Sequence, residues 1–351
     1  MEQRLVSDSI ERRVTVADVA AEAGVSRATV SKVLNGRSDV APATRVQIEA
    51  VLVTRGYVPT KRTKRPVVAV RRGGLMEMLF NDPSTPWAAE MIRGAEEAAR
   101  SARVGIVVSV LDQARGQQWL EDIADRSPRG IILALSELTA ADHKRIEKLG
   151  VPAILVDPVG DSDTGIPSIG AGNWGGGMAA TQHLIDLGHR RIGMITGPMR
   201  FLCSQARLAG YRATLERAGI TADDTLVEHG DFHYSSGHKL ALALLDRPEP
   251  PTAIFAANDE QALGVYAAVQ QRGLRVPDDL SVVGFDDVPM SQWVTPPLTT
   301  VRQPIAELAA LAVRTLLAHQ DGTEMPEGRL ELSTKLVVRG STAQLARRRT
   351  R

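Results

Sequence analysis

The chain has a single cysteine, Cys203, among 351 residues, so no disulfide can close within it, which suits a reducing compartment. No uninterrupted apolar run of about 18 residues occurs, which excludes a helix crossing a membrane. The first residues, MEQRLVSDSIERR, lack the apolar core of a secretory signal. Together these absences predict a cytoplasmic protein with no membrane partner. Catalytic patterns are missing too: there is no G-x-S-x-G elbow, no P-loop lysine and no His-Glu-x-x-His pair. No enzyme, cofactor or metal site is expected.

Hydrophobic residues make up 43% of the chain, enough for a packed interior. The net charge of +1 hides an asymmetry. Residues 1–72 hold 14 Lys and Arg against 7 Asp and Glu, and the rest holds 28 against 34. A basic front on an acidic body fits a nucleic-acid-binding module joined to a regulatory domain.

The most structured stretch of that front is VTVADVAAEAGVSRATVSKVLN, residues 14–35. Thr15 is placed to cap a helix, with Asp18 three residues on. Val16, Val19, Ala20 and Ala23 follow at helical spacing. Gly24 allows a sharp turn, and Ser26 caps a second helix whose Val30, Val33 and Leu34 pack back. Outward remain Arg27, Ala28, Thr29, Ser31 and Lys32. Two helices crossing over a glycine turn, with small, polar and basic residues outward, predict a helix-turn-helix. A third helix, Pro42 to Arg55, carries Val46, Ile48, Val51 and Leu52 as apolar content.

The segment TVADVAAEAGVSRATVSKVLNG…VAPATRVQIEAVLVTRGYVP resembles the headpiece of the lac/galactose repressor family of bacterial regulators. The resemblance implies that Thr15, Ser26, Arg27, Ala28, Thr29, Ser31, Lys32 and Asn35 face double-stranded operator DNA. In that family a short hinge helix follows and wedges a leucine into the minor groove. Here PTKRTKRPVVAVRRGG, residues 59–74, departs from the pattern. Lys61, Arg62, Lys64 and Arg65 replace the small residues, and Pro66 disfavours helix just before it. A basic arm on DNA is expected, with Val67 or Val68 as the apolar alternative.

From Leu75 apolar runs alternate with amphipathic helices, the signature of parallel sheets covered on both faces. Strands are expected at 75–80, 105–110, 130–135 and 153–156, then at 191–196, 225–230, 252–257 and 281–285, with one final strand near Leu330–Val338. The pattern restarts near residue 170, which predicts two doubly wound units. HLIDLGHRRIGMITGP, ARLAGYRATLERAG, PTAIFAANDEQALGVY, LSVVGFDDVP and PPLTTVRQP resemble the periplasmic-binding-protein-like core of the same family. The expected organisation is a leader at 1–13, an all-α headpiece at 14–58, the linker at 59–74 and an α/β core at 75–340. Within the core, one subdomain takes 75–170 plus 303–328 and the other 171–302 plus 329–340, before a basic tail at 341–351. That tail has no leucine heptad, so the tail-mediated tetramer of one family branch is not expected.

Two patterns point elsewhere. Gly170–Gly175 satisfies G-x-G-x-x-G, but the next strand ends MITGP without the carboxylate that a dinucleotide ribose needs. His229, His233 and His238 surround Asp231 without cysteine or metal-site spacing.

Open α/β sheets bind ligands at the carboxyl ends of their strands. At those ends stand Asp82, Trp87, Asp157, Asn173, Trp174, Arg207, Phe232, Asn258 and Asp286, the candidate effector contacts. Carboxylates, amides, an arginine and aromatic faces suit a sugar, whose hydroxyls need paired donors and acceptors and whose C–H faces need a platform. The resemblance assigns effector hydrogen bonds to Arg207 and Asp286 in particular. Asn258, Asp259 and Asp287 serve equally well as helix caps or loop ties. The expected protein is a nucleoid-associated repressor of carbohydrate-use genes, a homodimer on a pseudo-palindromic operator, controlled by a small sugar. A purine or other metabolite stays open as effector, and so does the choice between induction and co-repression. A transport receptor would share the core but would need a secretory signal and no headpiece.

Overall fold

The computed structural model describes residues 15–34, 40–55, 74–111, 118–134, 139–158 and 165–345. The chain separates into two compact units that divide after Val70.

In the first unit, α1 (Val16–Glu22), α2 (Arg27–Leu34) and α3 (Pro42–Thr54) surround a small core. The Thr15 hydroxyl accepts from the Asp18 N–H while the Asp18 carboxylate accepts from the Thr15 N–H at 2.8 Å, a reciprocal capping box. Gly24 takes φ +62°, and the Ser26 hydroxyl accepts from the Thr29 N–H at 3.1 Å, so turn and second cap form where the sequence places them. Val19, Ala20, Ala23, Val30, Val33, Val40 and Ile48 pack together. Full burial of a side chain such as Ile48 is worth about 1.5–3 kcal/mol, so this small core rests on few contacts. Val46 differs from expectation. It is 66% exposed, because the one face of α3 that reaches the core is led by Ile48.

The second unit contains two six-stranded sheets. The first is built from β1 (Leu75–Phe80), α4 (Pro86–Ser101), β2 (Gly105–Val110), α5 (Gln118–Arg126), β3 (Ile131–Ala134), α6 (Ala140–Lys148), β4 (Ala153–Val156) and β5 (Ser168–Ala171). The second follows with α7 (Asn173–Asp186), β6 (Ile192–Thr196), α8 (Leu202–Arg217), β7 (Val227–His229), α9 (Tyr234–Leu245), β8 (Ala253–Ala256), α10 (Asp259–Gln271), β9 (Ser281–Asp286) and β10 (Thr299–Arg302). Strand orders run β2-β1-β3-β4-β5 and β7-β6-β8-β9-β10, the same doubly wound order twice. β1, β3, β4 and β6, β8, β9 are almost wholly buried, as strands covered on both faces must be.

The chain then returns. Helix α11 (Ile305–Gln320) packs on α4, where Gly94 lets the backbones meet; a Cβ there would lie 2.2 Å from the Ala306 carbonyl oxygen. The single strand expected near residues 330–338 is two. β11 (Arg329–Leu332) pairs in parallel with β5 in the first sheet, and β12 (Lys335–Val337) pairs antiparallel with β10 in the second. Residues 329–332 therefore complete the first sheet, and assigning them to the second subdomain is corrected. The two intervening residues carry the chain across.

Candidate functional site

Several of the functional side chains sit just past the carboxyl ends of strands, while Arg207 projects from α8 and Trp87 from α4. Asp157 follows β4 with φ +45°, Phe232 lies beyond β7 with φ +75°, and Asp286 ends β9 with φ +110°. Left-handed backbone at non-glycine residues is costly, and here it turns side chains towards a common recess. Among the candidates, Trp87, Asp157, Arg207, Phe232, Asn258 and Asp286 all line that recess, a cavity of about 70 Å³.

Arg207 is the fixed centre. Its side chain is 3% exposed; Nε donates to Asn173 Oδ1 at 2.8 Å and Nη1 to the Ala257 carbonyl at 2.5 Å. The guanidinium lies over the Phe285 ring, 3.7 Å from its centroid. Nη2 stands 3.8 Å from Asp286 Oδ1, an ion pair without a tight hydrogen bond. Asp286 Oδ1 instead accepts from Gln303 Nε2 at 2.6 Å. Burial pushes the Asp286 carboxyl up to about 7, against the opposing pull of Arg207. Asp157 is likewise raised by burial, against Arg329, whose Nη2 is 3.6 Å away. Among the described residues, neither its buried Oδ1, which faces Arg329, nor Gln303 Oε1 has a hydrogen-bond donor. The polar groups that line the recess, one arginine, two carboxylates and two amides, suit a ligand bearing O–H groups.

Asn258 has both roles open to it. Its Oδ1 accepts from the Gln261 N–H at 2.9 Å, capping α10, while Nδ2 donates to the Phe232 carbonyl at 2.9 Å beside the recess. Asp259 is structural: it accepts from Thr300 Oγ1 at 2.5 Å and from the Val288 N–H at 3.0 Å. Asp287 ties loops, bound by Arg302 at 2.6 Å and Arg339 at 2.5 Å.

A wider chamber of about 480 Å³ adjoins the recess, sharing Thr85, Trp87 and Phe232 with it. Asp82 lies here, and the Ser84 hydroxyl and backbone N–H hold its carboxyl below the usual range. Two candidates do not reach the ligand space. Asn173 stands behind Arg207 as its hydrogen-bond partner, and Trp174, half exposed, lines a separate hollow with Gln205 and Arg329. Trp174, on the helix that begins at Asn173, is not among the residues lining the recess or the chamber. Gln303, Thr85 and Cys203 line the recess without having been anticipated. Gln303 directly follows β10, a Thr-rich strand between prolines, and recognising that strand would have pointed to it.

Of the glycines in 170–177, Gly170, Gly176 and Gly177 serve packing. A Cβ on Gly177 would lie 2.4 Å from the Arg207 carbonyl oxygen, so α7 and α8 meet backbone to backbone. The three histidines have separate partners: His229 with Thr196, His233 with Glu260, and His238 with Gln271.

On α2, Arg27, Ala28, Ser31 and Lys32 are exposed, with Ser26 at its cap, while Thr29 is half-buried and hydrogen-bonded to Ser26 at 2.8 Å. Exposed Thr15 has its hydroxyl in the capping box. Asn35, Lys61, Arg62, Lys64, Arg65 and the Leu34 side chain lie outside the described residues, as do the leader and most of the linker.

Comparison with known proteins bears on both units. Residues 15–60 match the model for bacterial regulatory proteins of the lacI family, and residues 181–342 match a periplasmic binding protein-like domain. The ribose operon repressor of Escherichia coli (strain K12) is 34% identical over 333 residues, covering 93% of this chain and 99% of its own. Among solved structures, a transcriptional regulator CelR–cellobiose complex superposes with TM-score 0.71 at 33% identity, covering 94% of this chain and 100% of its own. The lac repressor dimer bound to operator and the anti-inducer ONPF does so with TM-score 0.69 at 30% identity, covering 95% and 100%. With a relative this similar along nearly its whole length and a matching DNA-binding segment, the chain belongs to the lacI family of bacterial regulatory proteins.

Proposed function

We propose that this regulator represses carbohydrate-use genes as a homodimer on a pseudo-palindromic operator and that a small neutral sugar controls its hold on DNA. The observation that carries the effector reading is the recess lined by Arg207, Asp286, Asp157, Asn258 and Gln303. A sugar supplies adjacent hydroxyls that both donate and accept, and so completes such a set without burying a new charge. The relatives agree in kind: one is named for a ribose operon, and one structural neighbour holds cellobiose.

The DNA-reading side follows from α2. Arg27 suits guanine in the major groove, and the Ala28 methyl suits a thymine methyl. A two-fold protein reads a two-fold site, as the lac repressor dimer on its operator does. The basic run Lys61, Arg62, Lys64 and Arg65 adds phosphate contacts, each steepening the dependence of log affinity on log salt by about 0.9. Such a protein works in the cytoplasm, on the nucleoid.

Control requires the sugar to bind one arrangement of the two sheets more tightly than another, since a ligand indifferent to both shifts nothing. The recess meets this need because Asp157 comes from the first sheet and Arg207 and Asp286 from the second subdomain. The test is a thermal-shift screen of monosaccharides and disaccharides, repeated with operator DNA. A sugar that raises the melting temperature of the free protein and weakens operator binding supports the reading. A panel with no effect refutes it.

A further inference from the structure

We infer that the effector has two sugar rings, one presenting its hydroxyls to the recess and a second seated in the wider chamber between two aromatic pairs. The inference rests on the sugar-effector reading above and adds the size of the ligand.

Aromatic residues are scarce in this chain, 5 Phe, 4 Tyr and 4 Trp in 351 residues. Four of them, Phe80, Trp87, Phe201 and Phe232, nonetheless line the chamber. They come from both halves of the core. Phe80 ends β1 and Trp87 opens α4, and their rings meet edge to face with centroids 6.4 Å apart and planes at 82°. Phe201 caps α8 and Phe232 follows β7, with centroids 6.0 Å apart at 44°. Phe80 and Trp87 also pack in the core of the first sheet, and with Phe201 they leave under a tenth of their surface open, so Phe232 is the most open of the four towards the chamber.

Volume points the same way. The recess, at about 70 Å³, has room for the hydroxyl-bearing edge of a ligand, since a single water's share of liquid is roughly 30 Å³. The chamber, at about 480 Å³, falls within the roughly 300–1,000 Å³ usual for whole ligand sites. One ring held by Arg207, Asp157 and Asp286 would leave most of that chamber as water against aromatic faces.

The chamber's charges favour a neutral occupant. The Asp82 carboxylate takes the Ser84 hydroxyl and N–H, and Asp231 Oδ1 takes the His233 N–H at 2.9 Å. Arg200 lies over the Phe201 ring, 4.9 Å from its centroid. A pyranose suits these surroundings, with C–H faces for the rings and hydroxyls for the polar rim.

Calorimetry on the full chain decides the matter, with glucose, galactose and ribose set against cellobiose, maltose and lactose. At least one disaccharide should bind about tenfold or more tighter than the monosaccharides it contains. That ratio should shrink at least about threefold in Phe201→Leu and be restored in Phe201→Tyr, with melting temperatures reporting that both variants fold. A monosaccharide binding as tightly as every disaccharide overturns the two-ring inference and leaves the sugar reading standing, as does a ratio unmoved in Phe201→Leu. No binding by any of the six sugars overturns both.

Discussion

The two polar surfaces of this protein are built in opposite ways. On α2, Arg27, Ser31 and Lys32 stand in solvent on a three-helix unit with a core of a few aliphatic side chains. In the recess, Arg207, Asp157 and Asp286 are nearly sealed from water and held by side chains and carbonyls arranged before any ligand arrives. A DNA surface meets a highly charged partner that brings its own counterions, so exposed and mobile charges suffice. A neutral ligand offers only hydrogen bonds, which are strong and selective when the protein's groups are already dry and fixed.

The contrast can be broken hardest at Arg207. Arg207→Ala removes the cation at the centre of the recess and leaves Asp286 without its ionic partner, so sugar affinity should fall by about 2–3 kcal/mol or more. Stability should fall as well, because Asn173 and the Ala257 carbonyl lose their partner. Calorimetry alongside thermal melting measures both. Unchanged sugar affinity in a folded Arg207→Ala protein would remove the residue from the site.

Next comes Arg27→Ala, which should cost about 1–3 kcal/mol in operator affinity and relax preference at one symmetric pair of positions. Because Arg27 is exposed, stability and sugar binding should stay put. Site selection by the variant checks this, and an unchanged preferred sequence would contradict the assignment.

A smaller loss, about 1 kcal/mol, is expected for Thr15→Ala, which removes the reciprocal cap of α1. It should lower headpiece stability, read by hydrogen exchange in residues 16–22, without changing which operator is preferred.

The smallest expected change in sugar affinity concerns pH. The Asp286 carboxyl, at about 7 in the folded protein and so well above the usual carboxylate range, binds a proton there that the unfolded chain has released. Its contribution to stability is therefore present at the acidic end and is lost as pH rises from about 4 to about 7. Sugar hydroxyls donating to the carboxylate favour its ionised form, so sugar affinity should rise severalfold between about pH 6 and pH 8. Titration calorimetry at both values, with Asp286→Asn giving a flat profile, tests the link.

Much of this was legible in the sequence. Thr15, Asp18, Gly24 and Ser26 announce the headpiece because caps and turns are local chemistry, decided within four residues. The strands of the core announce themselves because strands buried on both faces read as continuous apolar runs, AILV or IFAA. What stayed hidden depends on distant partners. Gln303 joins the recess only because β10 lies beside β9, and Trp174, on α7, does not line it. The split of residues 329–337 between two sheets is likewise set by edges formed more than a hundred residues earlier in one case and about thirty-five in the other.

That split also governs how the chain is made. The first sheet lacks its edge strand until Leu332 has left the ribosome, although β1 to β5 are complete by Ala171. During that interval the β5 edge carries unpaired N–H and C=O groups, the usual template for wrong strand pairing. The second sheet must likewise wait for β12, so neither half can finish early and drift from the other. The closing residues thus couple the two halves in folding. A chain cut short before Arg329 would meet the cell with both edges bare.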